Sequence, residues 1–332
     1  MARLAHALLT ALLAAAPAAA DPLGDALDGR CRPDGRLLPA ARALLGPELP
    51  TPRALRLRTE AAGLYAPTVE HAVLPSPSPD DLRAALDALR SPRFVARCAI
   101  ATDGVRVALA VAPRAAEWLI EESPDGLAVR AALPEGTTDA TVLATRADGS
   151  VEATPLDADG WARLTSPTTL RTLQVLGTLA EGPVPLATWH RTPGDDVVEA
   201  LNDARGVIAA MNRARAATGV PALRREPLLD GVAQSHADDL ARRGVLAHRP
   251  DAGDGPSERL AAAGLRADRI AENLARADSL GEAVARWLDS PSHRANVVDR
   301  TLLGVGVGVA ARGSELYVVA LFAAGAAMGA VR

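Results

Sequence analysis

The residues that could do chemistry are concentrated in the last third of this chain. All four asparagines and three of the six histidines lie after residue 196. One of these histidines, His293, follows Ser290 and Pro291, which suit the N-cap and the first turn of a helix. A histidine this close to the positive end of a helix is held in the neutral form, which is the form that ligates metals. The sequence therefore predicts a neutral imidazole at His293.

No activated nucleophile accompanies these histidines. Ser235 precedes His236, but the surrounding residues contain no nucleophile elbow and no oxyanion-hole signal. The two cysteines, Cys31 and Cys98, both lie in the N-terminal half, which excludes a thiol mechanism in the last third. In an oxidising compartment a lone pair of cysteines is expected to form a disulfide, and two separate free thiols are the alternative.

The N-terminus has the pattern of a secretion signal. Arg3 is followed by an apolar run, and the small residues Ala18 and Ala20 fit a cleavage site before Asp21. The run is too short to span a bilayer, which takes about 20 apolar residues. We therefore expect an exported protein, periplasmic or extracellular, that loses residues 1–20 and has no membrane-spanning segment.

Composition indicates a globular chain with more than one domain. The 332 residues exceed a typical single domain of roughly 100–200 residues, and 48% of them are hydrophobic. The net charge of −4 argues against nucleic-acid binding, which usually needs a basic face.

The predicted elements change character along the chain, and the predicted fold class is α+β. Residues 21–91 show helical periodicity and include a proline-rich linker. Residues 92–190 contain short apolar runs about ten residues apart with Asp-Gly turn signals, which predicts a mainly β, immunoglobulin-like sandwich. Residues 191–196 are the predicted linker to a domain at residues 197–323, and residues 324–332 form a tail.

Six motifs follow one another in the last third. They are Asn212-x-x-Arg215, His248 after the second predicted helix, Glu272-Asn-Leu274, Trp287, Ser290-Pro-x-His-Arg294 and the strand Gly304-Val-Gly-Val-Gly308. Their order resembles the CAP superfamily (cysteine-rich secretory proteins, antigen 5 and pathogenesis-related 1; SCP-like) in its cysteine-poor bacterial branch. The resemblance covers residues 197–323 and implies an α–β–α sandwich there.

The resemblance also implies a cavity lined by two histidines and two glutamates. His248, Glu272 and His293 match three of these positions, and Ser290 stands at the fourth, where the family usually has a glutamate. His248 and His293 would be the protein ligands of a zinc-type ion, and Glu272 is the candidate catalytic or water-orienting group. The same three residues fit equally well a buried polar network that holds the domain together.

The missing second acid favours a binding protein over an enzyme. The resemblance implies a secreted binding module for a small apolar ligand, an envelope component or a protein partner. One alternative is a metal-dependent, peptidase-like hydrolase that uses His248, His293 and Glu272 with zinc as its cofactor. The other alternative is a structural envelope protein.

Overall fold

The computed structural model describes residues 27, 29–89, 96–113, 116–123, 126–165, 169–180, 182–191 and 199–325. The predicted signal peptide, most of the predicted linker and the last seven residues lie outside this set. Helices and strands are mixed along the chain, which confirms the α+β class. In the described part, no helix combines the length and hydropathy needed to cross a bilayer.

The first unit is a four-stranded sheet with helices on both faces. Its strands are β1 (Cys31–Pro33), β2 (Glu70–Pro75), β3 (Ala96–Thr102) and β4 (Arg106–Ala112), and its helices are α1 (Leu38–Ala43), α2 (Pro52–Ala61) and α3 (Pro79–Leu89). The strand order is β1-β3-β4-β2. Alternate side chains of β4 pack with α1 and α2 on one face and with α3 on the other, because successive side chains of a strand point to opposite faces.

This unit corrects the predicted start of the β-sandwich. The sequence assigns residues 92–112 to the sandwich, but β3 pairs in parallel with β1 and antiparallel with β4, which in turn pairs with β2. The turn-separated apolar pattern identifies strands without identifying their partners. Cys31 and Cys98 form a disulfide across β1 and β3, as the sequence predicts, with Cα atoms 6.0 Å apart.

The second unit is a sandwich of two antiparallel sheets. One sheet has the order β5-β6-β9, with β5 at Glu117–Ser123, β6 at Gly126–Ala132 and β9 at Trp161–Leu164. The other has the order β11-β10-β7-β8, with β7 at Thr138–Arg146, β8 at Val151–Pro155, β10 at Leu170–Leu179 and β11 at Gly182–His190. One apolar cluster drawn from both sheets fills the space between them. The sandwich therefore occupies residues 116–190.

The third unit is a three-layer α–β–α sandwich. Its helices are α4 (Ala204–Ala217), α5 (Pro227–Arg243), α6 (Pro256–Ala262), α7 (Leu280–Asp289) and α8 (Pro291–Val298), and its strands are β12 (Arg224–Arg225), β13 (Arg269–Ala277), β14 (Gly304–Arg312) and β15 (Glu315–Ala324). The sheet has the order β12-β14-β15-β13. Helix α5 covers one face, and α4, α7 and α8 cover the other. This arrangement confirms the architecture that the motif order implies.

Two glycines of the Gly-Val-Gly motif let α5 lie directly on β14. A Cβ atom at Gly306 would stand 2.1 Å from the backbone of Leu229, and one at Gly308 would stand 2.3 Å from the backbone of Ala233. No side chain fits in that space. The motif therefore sets how closely helix and sheet approach.

The motif residues of α4 serve the fold. Asn212 accepts a hydrogen bond from the backbone N–H of Leu223 at 2.7 Å and donates one to its carbonyl at 3.1 Å. Arg215 is fully buried, and its guanidinium donates to backbone carbonyls of Val297, Asp299 and Leu302. These contacts fix the loop after α8 against α4.

We predict that the disulfide carries a large part of the stability of the first unit. The bond joins residues 67 positions apart, and a loop of that length constrains the unfolded chain by about 4 kcal/mol. The double variant Cys31→Ala, Cys98→Ala should lose about that much unfolding free energy in urea titrations followed by circular dichroism. A loss below about 1 kcal/mol would show that loop closure is not what the bond contributes.

Candidate functional site

Glu272 is the centre of the candidate site. Its side chain, on β13, is only 2% exposed. Its Oε1 lies 2.8 Å from Nδ1 of His248, and its Oε2 accepts a hydrogen bond from Nη2 of Arg259 at 2.7 Å. Burial by itself raises the pKa of Glu272, but the hydrogen bond from His248 and the charges of His248 and Arg259 outweigh burial and lower it. Both oxygens of an ionised carboxylate are thus engaged.

The proton on His248 can be assigned from this contact. An ionised carboxylate accepts hydrogen bonds and donates none, so Nδ1 of His248 carries the hydrogen and donates it to Glu272. The imidazole is held in one orientation by this bond. Its side chain is 18% exposed, against 2% for Glu272. His248 is therefore the part of this pair that solvent can reach.

Local structure explains how these residues meet. Helix α5 ends at Gly244, which adopts the left-handed conformation with φ of 70°. The chain then turns back so that His248 follows four residues later. Arg259 on α6 donates from Nη1 to the backbone carbonyl of His248 at 3.0 Å, as well as to Glu272. One guanidinium therefore fixes the loop and neutralises the acid.

His236 lies on the apolar face of α5 behind this pair. It is 2% exposed, and its Nε2 stands 3.8 Å from Oε1 of Glu272. That nitrogen has no hydrogen-bond partner among the described residues. Burial lowers the pKa of His236 to about 4, although the charge of Glu272 opposes the shift. His236 is therefore a neutral core histidine at physiological pH.

His293 is joined to Glu272 through two asparagines. Asn273, next to Glu272 and fully buried, donates to the backbone carbonyl of His293 at 3.0 Å, and Asn296 donates to Oδ1 of Asn273 at 2.9 Å. These bonds tie α8 to β13. The His293 residue is half-buried, but its Nδ1 atom is shielded from solvent and has no partner among the described residues.

The imidazole of His293 is neutral, as the sequence predicts, but for a different main reason. Burial is the largest cause that lowers its pKa to about 3, and the charge of His248 adds to it. The prediction rested on the helix end. The burial that lowers the pKa comes from the packing of α8 against the other elements, which the sequence does not show.

Ser290 has the N-cap position that the sequence predicts, without the predicted capping bond. Its hydroxyl accepts no hydrogen bond from a backbone N–H of the first turn of α8, although it lies 3.2 Å from the hydroxyl of Ser292 in that turn. It instead accepts a hydrogen bond from Nε2 of Gln174 at 3.2 Å, and Oε1 of Gln174 accepts one from the backbone N–H of Ser292 at 2.9 Å. The helix start is therefore capped by a side chain from the β-sandwich.

Sequence reasoning missed Arg259 and Gln174. Arg259 lies in the segment Pro256–Arg259 that predicts a short helix, but an arginine on an exposed-looking helix carries no signal of a buried carboxylate partner. Gln174 is 116 residues from Ser290, in a strand of another unit, and is 2% exposed. A buried amide flanked by apolar residues was the available signal, because such a group needs hydrogen-bond partners.

The donor set does not fit a zinc centre with three protein ligands. Among the described residues, no three His, Cys, Asp or Glu side chains are placed to hold a metal ion. Glu272 has both oxygens engaged, one of them by the positive charge of Arg259, and Ser290 offers only a neutral hydroxyl. His248 and His293 remain, and two imidazoles alone make a weak site.

Comparison with protein families places the match in the third unit. The model of the cysteine-rich secretory protein family, CAP, matches residues 208–322. The C-terminal part of the chain belongs to the CAP superfamily. The site described above therefore lies within the CAP domain. A search of curated protein sequences finds no significant match.

Three solved structures are similar to parts of this chain. An outer surface protein of Borrelia burgdorferi is 21% identical, with a TM-score of 0.34, over 36% of this chain and 90% of its own. An extracellular protein of Bacillus anthracis that contains an SCP domain is 17% identical, with a TM-score of 0.33, over 64% and 68%. A cysteine-rich secretory protein of Staphylococcus aureus is 11% identical, with a TM-score of 0.32, over 69% and 83%.

We predict strong energetic coupling between Glu272 and His248 of the CAP domain. Glu272→Ala leaves Arg259 and His248 without their shared partner and should cost about 3–5 kcal/mol of unfolding free energy. His248→Ala should cost about 1–3 kcal/mol, and the double variant should lose at least about 1 kcal/mol less than the sum. Urea unfolding of the four proteins measures the coupling.

The matched control pairs His248→Ala with Glu315→Ala, a half-exposed glutamate of the same domain that lies 3.5 Å from Arg276. That pair should be additive within about 0.5 kcal/mol. If the effects of Glu272→Ala and His248→Ala on unfolding free energy are additive as well, the contact between the two side chains contributes no stability of its own.

We also predict that acid destabilises the CAP domain before the carboxylates titrate. The pKa of His236 is about 4 in the folded protein, against an ordinary value of 6.5, so below pH 6.5 the unfolded chain binds a proton that the folded chain excludes. Stability is therefore present above pH 6.5 and falls as the pH falls toward 4. At about pH 5 the loss from His236 is about 2 kcal/mol, and His293 acts in the same direction.

Urea midpoints at about pH 7.5 and about pH 5 measure this loss. His236→Leu should flatten the profile, because the group whose protonation opposes folding is removed. His190→Gln is the control. Burial lowers the pKa of His190, but Asp289 and Glu60 outweigh burial and raise it. Because a raised pKa makes His190 stabilising at low pH, its removal should not reduce the loss of stability on acidification. An unchanged slope in His236→Leu would contradict the assignment.

Proposed function

We propose that this protein is an exported, non-catalytic binding protein whose CAP domain engages a protein partner. The observation that carries the proposal is the engagement of both Glu272 oxygens by His248 and Arg259. Each oxygen already accepts one hydrogen bond, and the charge of Arg259 helps to lower the pKa of Glu272, which makes this carboxylate a poor general base. The cluster instead holds together the surface on which a partner docks.

The position of the expected second acid supports the same proposal. Ser290 stands there, and its hydroxyl bonds to Gln174. Hydroxyl and amide are both neutral, so the site lacks the second charge that an acid–base pair would use. A metal-dependent hydrolase would also need a third protein ligand, which the described residues do not supply.

The contacts that α8 already makes with the sandwich favour a protein partner over a small apolar ligand. Arg294 donates from Nε to the backbone carbonyl of Gly149 at 2.8 Å, and Ser292 donates its N–H to Gln174. These groups recognise turns and strands of polypeptide through polar contacts. An apolar ligand would need a lining of apolar side chains instead.

Export is supported by two independent features. The disulfide between Cys31 and Cys98 is of the kind that persists in oxidising compartments. The first 20 residues have the pattern of a signal peptide. The proposed setting is the periplasm or the extracellular space, where an envelope component is the natural class of partner.

Site-specific photocrosslinking in the native envelope tests the proposal. A photoreactive amino acid at Leu246, which is 42% exposed and two residues before His248, should give a discrete protein adduct. The same amino acid at Leu119, 45% exposed on β5 of the sandwich, is the matched control and should not. Adducts at neither position, or equally at both, would contradict a partner-binding face beside His248.

We predict that zinc does not stabilise the protein. Because a ligand that binds the folded state raises stability by about 2.7 kcal/mol at a hundredfold excess over its Kd, a functional zinc site would show a clear rise in Tm. The Tm should be the same with zinc chloride and with a chelator. A zinc-dependent rise that disappears in His248→Ala, His293→Ala would support the hydrolase alternative instead.

A further inference from the structure

The hairpin formed by β10 and β11 lies along the edge of the His248–Glu272–His293 cluster. At its middle, Gln174 bonds to Ser290 and to the backbone of Ser292. At the start of β11, Gly182 lies against the side chain of His248: a Cβ atom added to Gly182 would stand 3.0 Å from Cβ of His248 and 3.6 Å from its ring atoms Cγ and Cδ2. The hairpin therefore spans the partly exposed edge of the site.

A second turn of the sandwich docks beside it. The turn between β7 and β8 presents the carbonyl of Gly149 to Nε of Arg294 at 2.8 Å. A Cβ atom at Gly149 would lie 3.1 Å from Cγ2 of Thr218, at the end of α4. The sandwich thus holds the CAP domain at two turns and one strand, all on the side that bears α8.

A cluster of charged groups joins all three units at the other end of the hairpin. His190, the last residue of β11, has a side chain that is 1% exposed, and its Nδ1 lies 2.9 Å from Oε2 of Glu60 on α2. Its Nε2 lies 3.4 Å from Oδ2 of Asp289, at the end of α7, and Asp289 also bonds to Arg56 of α2. These ion pairs fix the hairpin against the CAP domain.

The sandwich meets the CAP domain through the polar contacts above, and it meets the first unit also through the edge-to-face rings of Tyr65 and Trp118. Within the described residues, each of the five buried apolar clusters draws its members from one unit only: two from the first, one from the sandwich and two from the CAP domain. Each unit therefore keeps its core when the joint opens. Interfaces within a chain that lack a shared apolar core separate far more readily than cores unfold.

We propose that the β10–β11 hairpin is a removable cover over the His248–Glu272–His293 cluster, so that undocking of the sandwich opens the CAP site to its partner. The bound polypeptide in the resting state is the chain's own hairpin, held by Gln174, Gly182 and the His190 cluster. A partner then competes with the hairpin for the same face. The inference deepens the proposed function and rests on it, but its test measures access to His248 directly.

The experiment follows the rate at which diethyl pyrocarbonate modifies His248 in the full-length protein, read by mass spectrometry of the modified peptide. Gln174→Met keeps the size of the side chain and removes its bonds to Ser290 and Ser292. Loss of these bonds should raise the open population, and with it the modification rate, about tenfold. Glu121→Gln, on the exposed face of β5, is the control and should leave the rate unchanged.

An engineered disulfide that locks the sandwich to the CAP domain supplies the opposite perturbation. Gly149→Cys with Thr218→Cys places two thiols where the sandwich meets α4, and the two native cysteines are already paired. Gly149 has a φ of 82°, and a Cβ atom there would displace the guanidinium of Arg294, 2.5 Å away, so the Gly149→Cys single variant is the reference that carries the same strain. Formation of the new disulfide should lower the modification rate of His248 below that of either single-cysteine variant. In the combined variant it should cancel the increase caused by Gln174→Met.

The outcomes distinguish a removable hairpin from one that stays docked on the CAP domain. A faster rate in Gln174→Met that the lock reverses supports the cover. An unchanged rate in a natively folded Gln174→Met, or a lock with no effect, overturns it. If Gln174→Met does not fold, the lock alone decides, by comparison with the single-cysteine variants. Failure of the photocrosslinking test with a working lock would leave the cover in place and reject only the proposed partner binding.

Discussion

The CAP domain depends on keeping one carboxylate ionised in its interior. Glu272 is almost fully buried, and removing a charge from water costs several kcal/mol unless partners compensate it. Arg259 and His248 supply that compensation, and each comes from a different segment. The loop after α5 and helix α6 are therefore held against β13 by a single charge. If either partner moves, the other elements lose the contact that places them.

The neutral side chain of Ser290 is consistent with the same electrostatic constraint. The charge of Glu272 is balanced by Arg259, the cation bonded to its Oε2. A second carboxylate at position 290 would need a further cation or a proton of its own. Ser290 with Gln174 keeps the position hydrogen-bonded and neutral. The price is that the helix start now depends on a residue of another unit.

The sequence predicts the CAP domain well because its determinants are local. The glycine spacing in β14, the Gly244 stop after α5 and the Ser290-Pro291 start of α8 can each be recognised within a few residues, although the glycines contact α5 and the start of α8 is completed by Gln174. Strand pairing in the first unit is different. Strand β1 has only three residues, and its partner β3 lies far along the chain, so no periodicity identifies the pair. The cysteine pair is the one sequence feature that points to this contact.

The candidate site shows the same division between local and distant determinants. His248, Glu272 and His293 can be found from motifs, because each lies in a recognisable segment of one domain. The protonation states of these residues cannot be found from motifs, because burial and Arg259 set the charge of Glu272, and packing sets that of His293. Gln174 and Gly182 lie in β10 and β11, whose sequences have the pattern of sandwich strands and give no sign of a contact with the CAP domain. Since the apolar clusters of the three units are separate, the arrangement of the units depends on a few contacts between them, most of them polar, and the surroundings of the CAP site include side chains of the sandwich as well as of the CAP domain.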